Sequence, residues 1–366
     1  MGALPKGVTD TGRDSSEPIL PRPASLPSTP MPASTPSLSR ALVALLCLVA
    51  SAGAPAYGQL RAVGTAVPVV GDASEPFAHP SWSPDGTQLA FSRPSYDGLW
   101  VANADGAAPQ QITAEAGAGY TAAWAPSGNA IVARVARFEG PRRSDAVKVF
   151  DLATAETRTL TDYRASMPTL PRWRADGTVV LVADDEAEAL ATGLSGIEAR
   201  QKARTVYAEH PASGLVVLRP DGSRARYLRT ERIINAAGSP DTRQGAFEVV
   251  GGDLFVMNAD GSGLTSLGRG HRPTWSPDGQ WVAFMRTQDN GYTFTAADLF
   301  AARADGSDIV QLTTSEALEM NPAWSPDGTQ IAFDANAGTI YTLTIDDECS
   351  ATRLAPPLAD RTSIND

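Results

Sequence analysis

The block Trp82-Ser-Pro-Asp-Gly86 returns as Trp275-Ser-Pro-Asp-Gly279 and Trp324-Ser-Pro-Asp-Gly328. A chain that repeats such a block at long intervals is confined to a repeat architecture before any other feature is weighed. Trp124-Ala-Pro-Ser-Gly128 and Trp173-Arg-Ala-Asp-Gly177 are looser copies, and Gly238-Ser-Pro-Asp-Thr242 is a sixth without its tryptophan. From Trp82 to Trp324 the mean step is about 48 residues, the span of one four-stranded propeller blade.

Each copy reads as the same unit. A short strand ends at the Trp, and Ser-Pro-Asp-Gly makes a tight turn in which Pro presets φ and Gly takes the left-handed position. A second strand repeats one apolar pattern in Leu89-Ala-Phe91, Val282-Ala-Phe284 and Ile331-Ala-Phe333. A third strand runs into a second turn, Asn103-Ala-Asp-Gly106, echoed at Asn258–Gly261, Arg303–Gly306 and Arg219–Gly222. A polar fourth strand closes the unit. The sequence therefore predicts an all-β chain, a six-bladed β-propeller of four-stranded antiparallel blades. The blades fall at 76–113, 117–161, 167–230, 233–268, 271–314 and 320–356. Blade three is overlong, and its excess, roughly Asp184 to Glu209, reads as an insertion. Val67–Val70 and Ala351–Leu354 are both candidates for the strand that closes the ring. Trp82, Trp124, Trp173, Trp275, Trp324, Phe91, Phe247, Phe284 and Phe333 are the expected repeat core. Asp85, Asp278 and Asp327 are read as turn residues rather than metal ligands.

Residues 1–58 read as an N-terminal extension and signal peptide. Arg40 precedes the apolar run Ala41–Ala50, which is too short to span a bilayer comfortably. Small residues follow, with cleavage expected after Ala56 or Gly58; Met31 is the candidate true start. Residues 59–75 form a linker and candidate closing strand, 76–356 the propeller, and 357–366 a C-terminal tail. The address is periplasmic or secreted, with no integral span after cleavage. Only Cys349 survives cleavage, which removes intramolecular disulfides and cysteine-built zinc sites. The net charge of −11 argues against nonspecific nucleic-acid binding. The 30 basic residues include only three Lys (Lys6, Lys148, Lys202), which carries no mechanism.

Trp-Ser-Pro-Asp-Gly-x-x-Ile-Ala-Phe followed by Asn-Ala-Asp-Gly resembles the Pro-Asp-Gly repeat of the TolB-like β-propeller family, over residues 67–356. The resemblance implies a periplasmic six-bladed propeller; in that family it follows an α/β domain and binds a peptidoglycan-associated lipoprotein. Residues 59–75 leave no room for the α/β domain. The repeat is also similar to that of prolyl-oligopeptidase-like propellers, but the Gly-x-Ser-x-Gly of their hydrolase domain is missing here.

First strands line the central channel of a propeller, so residues just before each Trp reach its mouth. Three places before the Trp stand His79, Thr121, Leu170, Asn235, Arg272 and Asn321, with Tyr120, His271 and Met320 one step earlier. The candidate ligand-binding set is His79, Tyr120, Thr121, Asn235, His271, Arg272 and Asn321, a mixture suited to a peptide or carboxylate. This reading places no carboxylate in the ring, so no metal site, catalytic set or cofactor is expected. The favoured function is an exported binding module, a monomer that recognises a protein or peptide partner in the cell envelope through the channel mouth or rim loops. The alternatives are a polysaccharide- or peptide-acting lyase or hydrolase in the funnel, and an envelope scaffold without a defined ligand.

Overall fold

The computed structural model describes residues 59–347 apart from 121, 168, 175, 184, 185, 195–204 and 211. The chain divides into residues 1–56 and 57–366, and everything described belongs to the second unit. The signal segment, Thr121, Ala351–Leu354, the tail and part of the 184–209 segment lie outside the described residues.

All described elements are strands. After β1 (Leu60–Val70) comes blade 1: β2 (Ala78–Trp82), β3 (Gln88–Ser92), β4 (Leu99–Asn103) and β5 (Gln110–Thr113). Blade 2 holds β6 (Ala123–Trp124), β7 (Ala130–Glu139), β8 (Arg142–Asp151) and β9 (Thr157–Thr159). Blade 3 is β10 (Arg172–Trp173), β11 (Val179–Ala183) and β12 (Glu186–Leu190). Blade 4 is β13 (Val206–Glu209), β14 (Leu215–Leu218) and β15 (Arg224–Tyr227). Blade 5 contains β16 (Ile233–Gly238), β17 (Gln244–Val249), β18 (Asp253–Asn258) and β19 (Thr265–Arg269). Blade 6 contains β20 (His271–Trp275), β21 (Trp281–Asp289), β22 (Phe294–Arg303) and β23 (Ile309–Gln311). Blade 7 is β24 (Glu319–Trp324), β25 (Gln330–Ala335) and β26 (Ile340–Asp347), completed by β1 from the other end of the chain. β1 pairs antiparallel with β26 from Leu60↔Asp347 to Val70↔Ile340.

The propeller thus has seven blades, which corrects the expected six. The overlong third blade is two blades of three described strands each. Blade 4 has no Trp-x-Pro-Asp-Gly block and keeps only the second turn, Arg219–Gly222, so in the sequence it merges with blade 3. Burial decides the matter. β13 and β14 are buried at every residue. Val180 and Val182 of β11 pack against Val206, Ala208, Val216 and Leu218, as one blade packs on the next. Among the described residues seven apolar clusters each join one pair of neighbouring blades: the β1/β26 blade to blade 1, and so on around the ring. A blade of alternating strands has two apolar faces, so only a closed ring buries them all.

The repeated block does local work in each turn. Asp85 Oδ1 accepts from Ser83 Oγ at 2.6 Å and from the Thr87 amide at 3.1 Å, while Ser83 Oγ accepts from the Gln88 amide. Asp241, Asp278 and Asp327 repeat this pattern. Gly86 has φ +72°, and its Cα side faces Pro326 of blade 7, so the turns also pack head to tail. The indole of Trp82 donates to the Ala323 carbonyl of the preceding blade at 3.1 Å; Trp124, Trp173 and Trp275 do the same to Ser81, Ala123 and Ala237. Trp324 makes no such bond. Phe91, Phe247, Phe284 and Phe333 are fully buried. With these turns at one end, the starts of the first strands and the loops between second and third strands meet at the other. That end is the mouth.

Candidate functional site

The first strands of blades 1, 5, 6 and 7 are bulged at the same place. Register shifts fall between Ala78 and Ser81, Ile234 and Ala237, His271 and Thr274, and Met320 and Ala323. Inside each bulge sits a non-glycine residue in the left-handed region: His79 (φ 59°), Asn235 (54°), Arg272 (57°) and Asn321 (53°). Such backbone costs energy and persists only when the surroundings hold it; bulges re-aim a side chain. Four of the six residues aligned three places before the Trp are these four. Leu170 is buried without this conformation, and Thr121 lies outside the described residues.

What holds the bulges is a set of carboxylates that sequence reasoning missed. Each stands at the end of a second strand, one residue past the core pattern. Asp334 Oδ1 accepts from the His79 amide at 2.8 Å and from Asn321 Nδ2 at 2.9 Å. Glu248 accepts from Asn235 Nδ2 at 2.8 Å, from His271 Nδ1 at 2.7 Å and from the Arg272 amide. Glu209 accepts from the Ala236 amide at 2.8 Å and pairs with Arg172 at 3.3 Å. All three are buried. The expectation that no carboxylate enters the ring is therefore overturned. The available signal was an acid placed directly after an apolar strand, as in Ala-Phe-Glu248 and Ala-Phe-Asp334, where burial is otherwise rare.

Burial sets the protonation of the floor. It pushes the Asp334 carboxyl up to about 7, against its hydrogen bonds from His79 and Asn321. It pulls the His79 imidazole down to about 4, helped by the nearby Arg272 charge. Burial alone raises Glu248, but the bonds from His271 and Asn235 outweigh it and hold that carboxyl below the usual range.

An aromatic and cationic ladder lies across the mouth. The His79 ring stacks on Tyr96 at 4.1 Å between centroids, and Tyr96 meets Tyr120 edge-on at 4.9 Å. Arg272 Nη2 donates to the Tyr96 hydroxyl at 3.0 Å, and its guanidinium lies 5.4 Å from the Tyr120 ring centre. Arg134 approaches the same ring at 5.6 Å. Above the floor is a cavity of about 390 Å3, lined by His79, Tyr96, Asn235, Glu248, His271, Arg272, Met320 and Asn321 among others. His79 and His271 thus share a cavity, but they belong to blades 1 and 6 with blade 7 between. Among the described residues no group of three or more His, Cys, Asp or Glu could hold a metal ion.

The arrangement defines a class, a seven-bladed β-propeller with a polar mouth built on bulged strands. No protein-family model and no curated protein matches the chain. Among solved structures it is similar to TolB from Acinetobacter baumannii, with TM-score 0.48 and 16% identity over 68% of this chain and 57% of that one. It is also similar to a putative TolB from Agrobacterium tumefaciens, with TM-score 0.47 and 17% identity over 74% of this chain and 90% of that one. An oligogalacturonate lyase from Vibrio parahaemolyticus gives 0.43 and 13% over 73% and 76%. The chain spans less than two thirds of the Acinetobacter protein's length. The structural neighbours thus include TolB and TolB-like β-propellers, the family that the repeat motifs resemble. No described helix is long and apolar enough to cross a membrane.

Proposed function

We propose that this protein is an exported binding module that receives a segment of a protein or peptide partner in the cell envelope at the mouth. The observation that carries the reading is the floor itself. Four blades keep strained, non-glycine residues in equivalent bulges, and buried carboxylates hold three of those bulges in place. Strain held this way at the rim of a 390 Å3 cavity favours preorganised recognition over simple scaffolding. The envelope address rests on the apolar run Ala41–Ala50 behind Arg40.

The test is affinity capture from the native envelope, wild type beside a His79→Ala/Arg272→Glu double variant. A partner held by the wild type and lost by the folded variant supports the mouth. Equal capture by both moves recognition to the outer surface.

One observation favours a second reading, a lyase or hydrolase. His271 is oriented by buried Glu248 at 2.7 Å inside the same cavity, the arrangement of a general base. Turnover of polysaccharide or peptide substrates, abolished by Glu248→Gln, is the result that selects it.

A further inference from the structure

The floor separates two spaces. Beneath the mouth cavity lies an axial chamber of about 210 Å3, and His79, Asn235, Arg272 and Asn321 line both. The Arg272 side chain is the strap between them. It starts from β20 in blade 6, passes blade 7, and ends on Tyr96 in the loop between β3 and β4 of blade 1.

Two polar side chains lining the chamber carry buried atoms without a hydrogen bond. Arg172 Nε is buried there without a hydrogen bond. Neither ring nitrogen of His79 has a hydrogen bond of ordinary geometry, the Pro94 carbonyl and Asn321 being its polar neighbours. The three carboxylates close by are already committed to the bulges and their side chains. Among the described residues the Arg272 guanidinium hydrogen-bonds only the Tyr96 hydroxyl. A half-buried guanidinium on a phenol oxygen makes one charge-assisted bond; a carboxylate accepts two from the same fork and adds the attraction of opposite charges. Ala90, Phe91, Leu99 and Leu170 make the chamber wall apolar, which suits a carboxylate on a short aliphatic stem and disfavours a fully hydrated phosphate.

We propose that the axial chamber is a carboxylate site, entered when the incoming group takes the Arg272 guanidinium from the Tyr96 hydroxyl and sits between Arg272 and Arg172. This deepens the mouth reading and rests on it. The carboxylate comes either from a free small acid or from the carboxyl end of a peptide.

Titration calorimetry on the purified protein distinguishes these sources. The probes are propionate, succinate, and N-acetyl tetra-alanine with a free or an amidated C-terminus. If the source is a peptide end, the free-acid peptide binds at least tenfold tighter than its amide and the small acids bind weakly. If the source is a free acid, propionate or succinate binds and the peptide does not. In either case Arg272→Gln weakens binding tenfold or more, and Tyr96→Phe tightens it severalfold by releasing the strap. That gain in affinity has no explanation in a misfolded variant. Equal binding of acid and amide, undiminished binding by Arg272→Gln, or no binding of any probe overturns the proposal. If all probes fail while partner capture remains sensitive to the His79/Arg272 double variant, the carboxylate site is lost and the mouth reading stands.

Discussion

Blades 6, 7, 1 and 2 keep the Trp-x-Pro-x-Gly block, whereas blades 3, 4 and 5 have each lost part of the unit. Blade 5 has Gly238 for the Trp and Thr242 for the turn glycine, and blades 3 and 4 each show three strands. Yet the core does not thin out along the degraded arc. Leu215, Val217, Phe247 and Tyr207 are buried there, as Phe333 is between blades 6 and 7. Tyr207 has moved into the space that Gly238 vacates, with its ring 2.9 Å from the position of a Cβ at that glycine. The block thus stabilises turns and blade-to-blade registry, and the second and third strands of each blade carry the ring. A blade can lose its block and remain a blade.

The largest effect that sharpens this comparison is expected from Leu215→Ala in blade 4. Leu215 is completely buried between blades 4 and 5. A leucine truncated at such a site costs about 2–5 kcal/mol. Chemical denaturation should show that loss, close to the loss for Leu254→Ala in blade 5. A change of less than about 0.5 kcal/mol would show that Leu215 is not held between two packed blades.

The next effect concerns the mouth, where His79 and Asp334 pull stability in opposite directions with pH. The Asp334 carboxyl is raised to about 7 in the fold, so the folded state holds a proton that the unfolded chain releases from about pH 4 upward. Its contribution is complete below pH 4 and lost as pH rises through 7. The His79 imidazole is lowered to about 4, so its contribution is present above 6.5 and lost as pH falls toward 4. Between pH 4 and 6.5 the two largely cancel. Asp334→Asn, which keeps an acceptor for the His79 amide, should leave stability rising with pH across that window. His79→Asn, which tolerates the left-handed backbone, should leave it falling from 4 to 7. Each slope amounts to a few kcal/mol, on the order of 3, when fully expressed. Parallel profiles for the two variants, read by thermal unfolding at several pH values, contradict the assignment.

These two tests also mark what the sequence could reveal. The turns, the tryptophan and phenylalanine slots and the all-β class repeat, so they stood out at once. The blade number does not stand out, because the block is what marks a blade in the sequence and blade 4 lacks it. The mouth was half legible. Its first-strand residues could be aligned on the Trp, which gave His79, Asn235, Arg272 and Asn321. Their carboxylate partners sit in a slot that varies from blade to blade: Ser92, Arg134, Val182, Glu209, Glu248, Met285 and Asp334. Repetition exposes the scaffold and conceals whatever is made different in one blade. Tyr96 was hidden for the same reason, since it lies in a loop that no other blade copies.

The smallest effect tests the degraded arc from the opposite direction. In the turn of blade 5, Thr242 adopts φ 63°, where Gly86, Gly128, Gly177, Gly279 and Gly328 serve the other copies. A β-branched residue in the left-handed region costs about 1–2 kcal/mol. Glycine removes that strain but gives back part of the gain through the greater freedom of the unfolded chain, about 0.4–1 kcal/mol. The Tyr207 hydroxyl bonds the Thr242 backbone carbonyl, at 3.3 Å, and so survives the change. Thr242→Gly is therefore expected to stabilise the protein by roughly 0.5–1 kcal/mol, visible as a rise of a few degrees at most in Tm. A fall in Tm would show that the hydroxyl of Thr242 has taken over work that glycine does elsewhere, and that blade 5 has diverged in its turn as well as in its tryptophan.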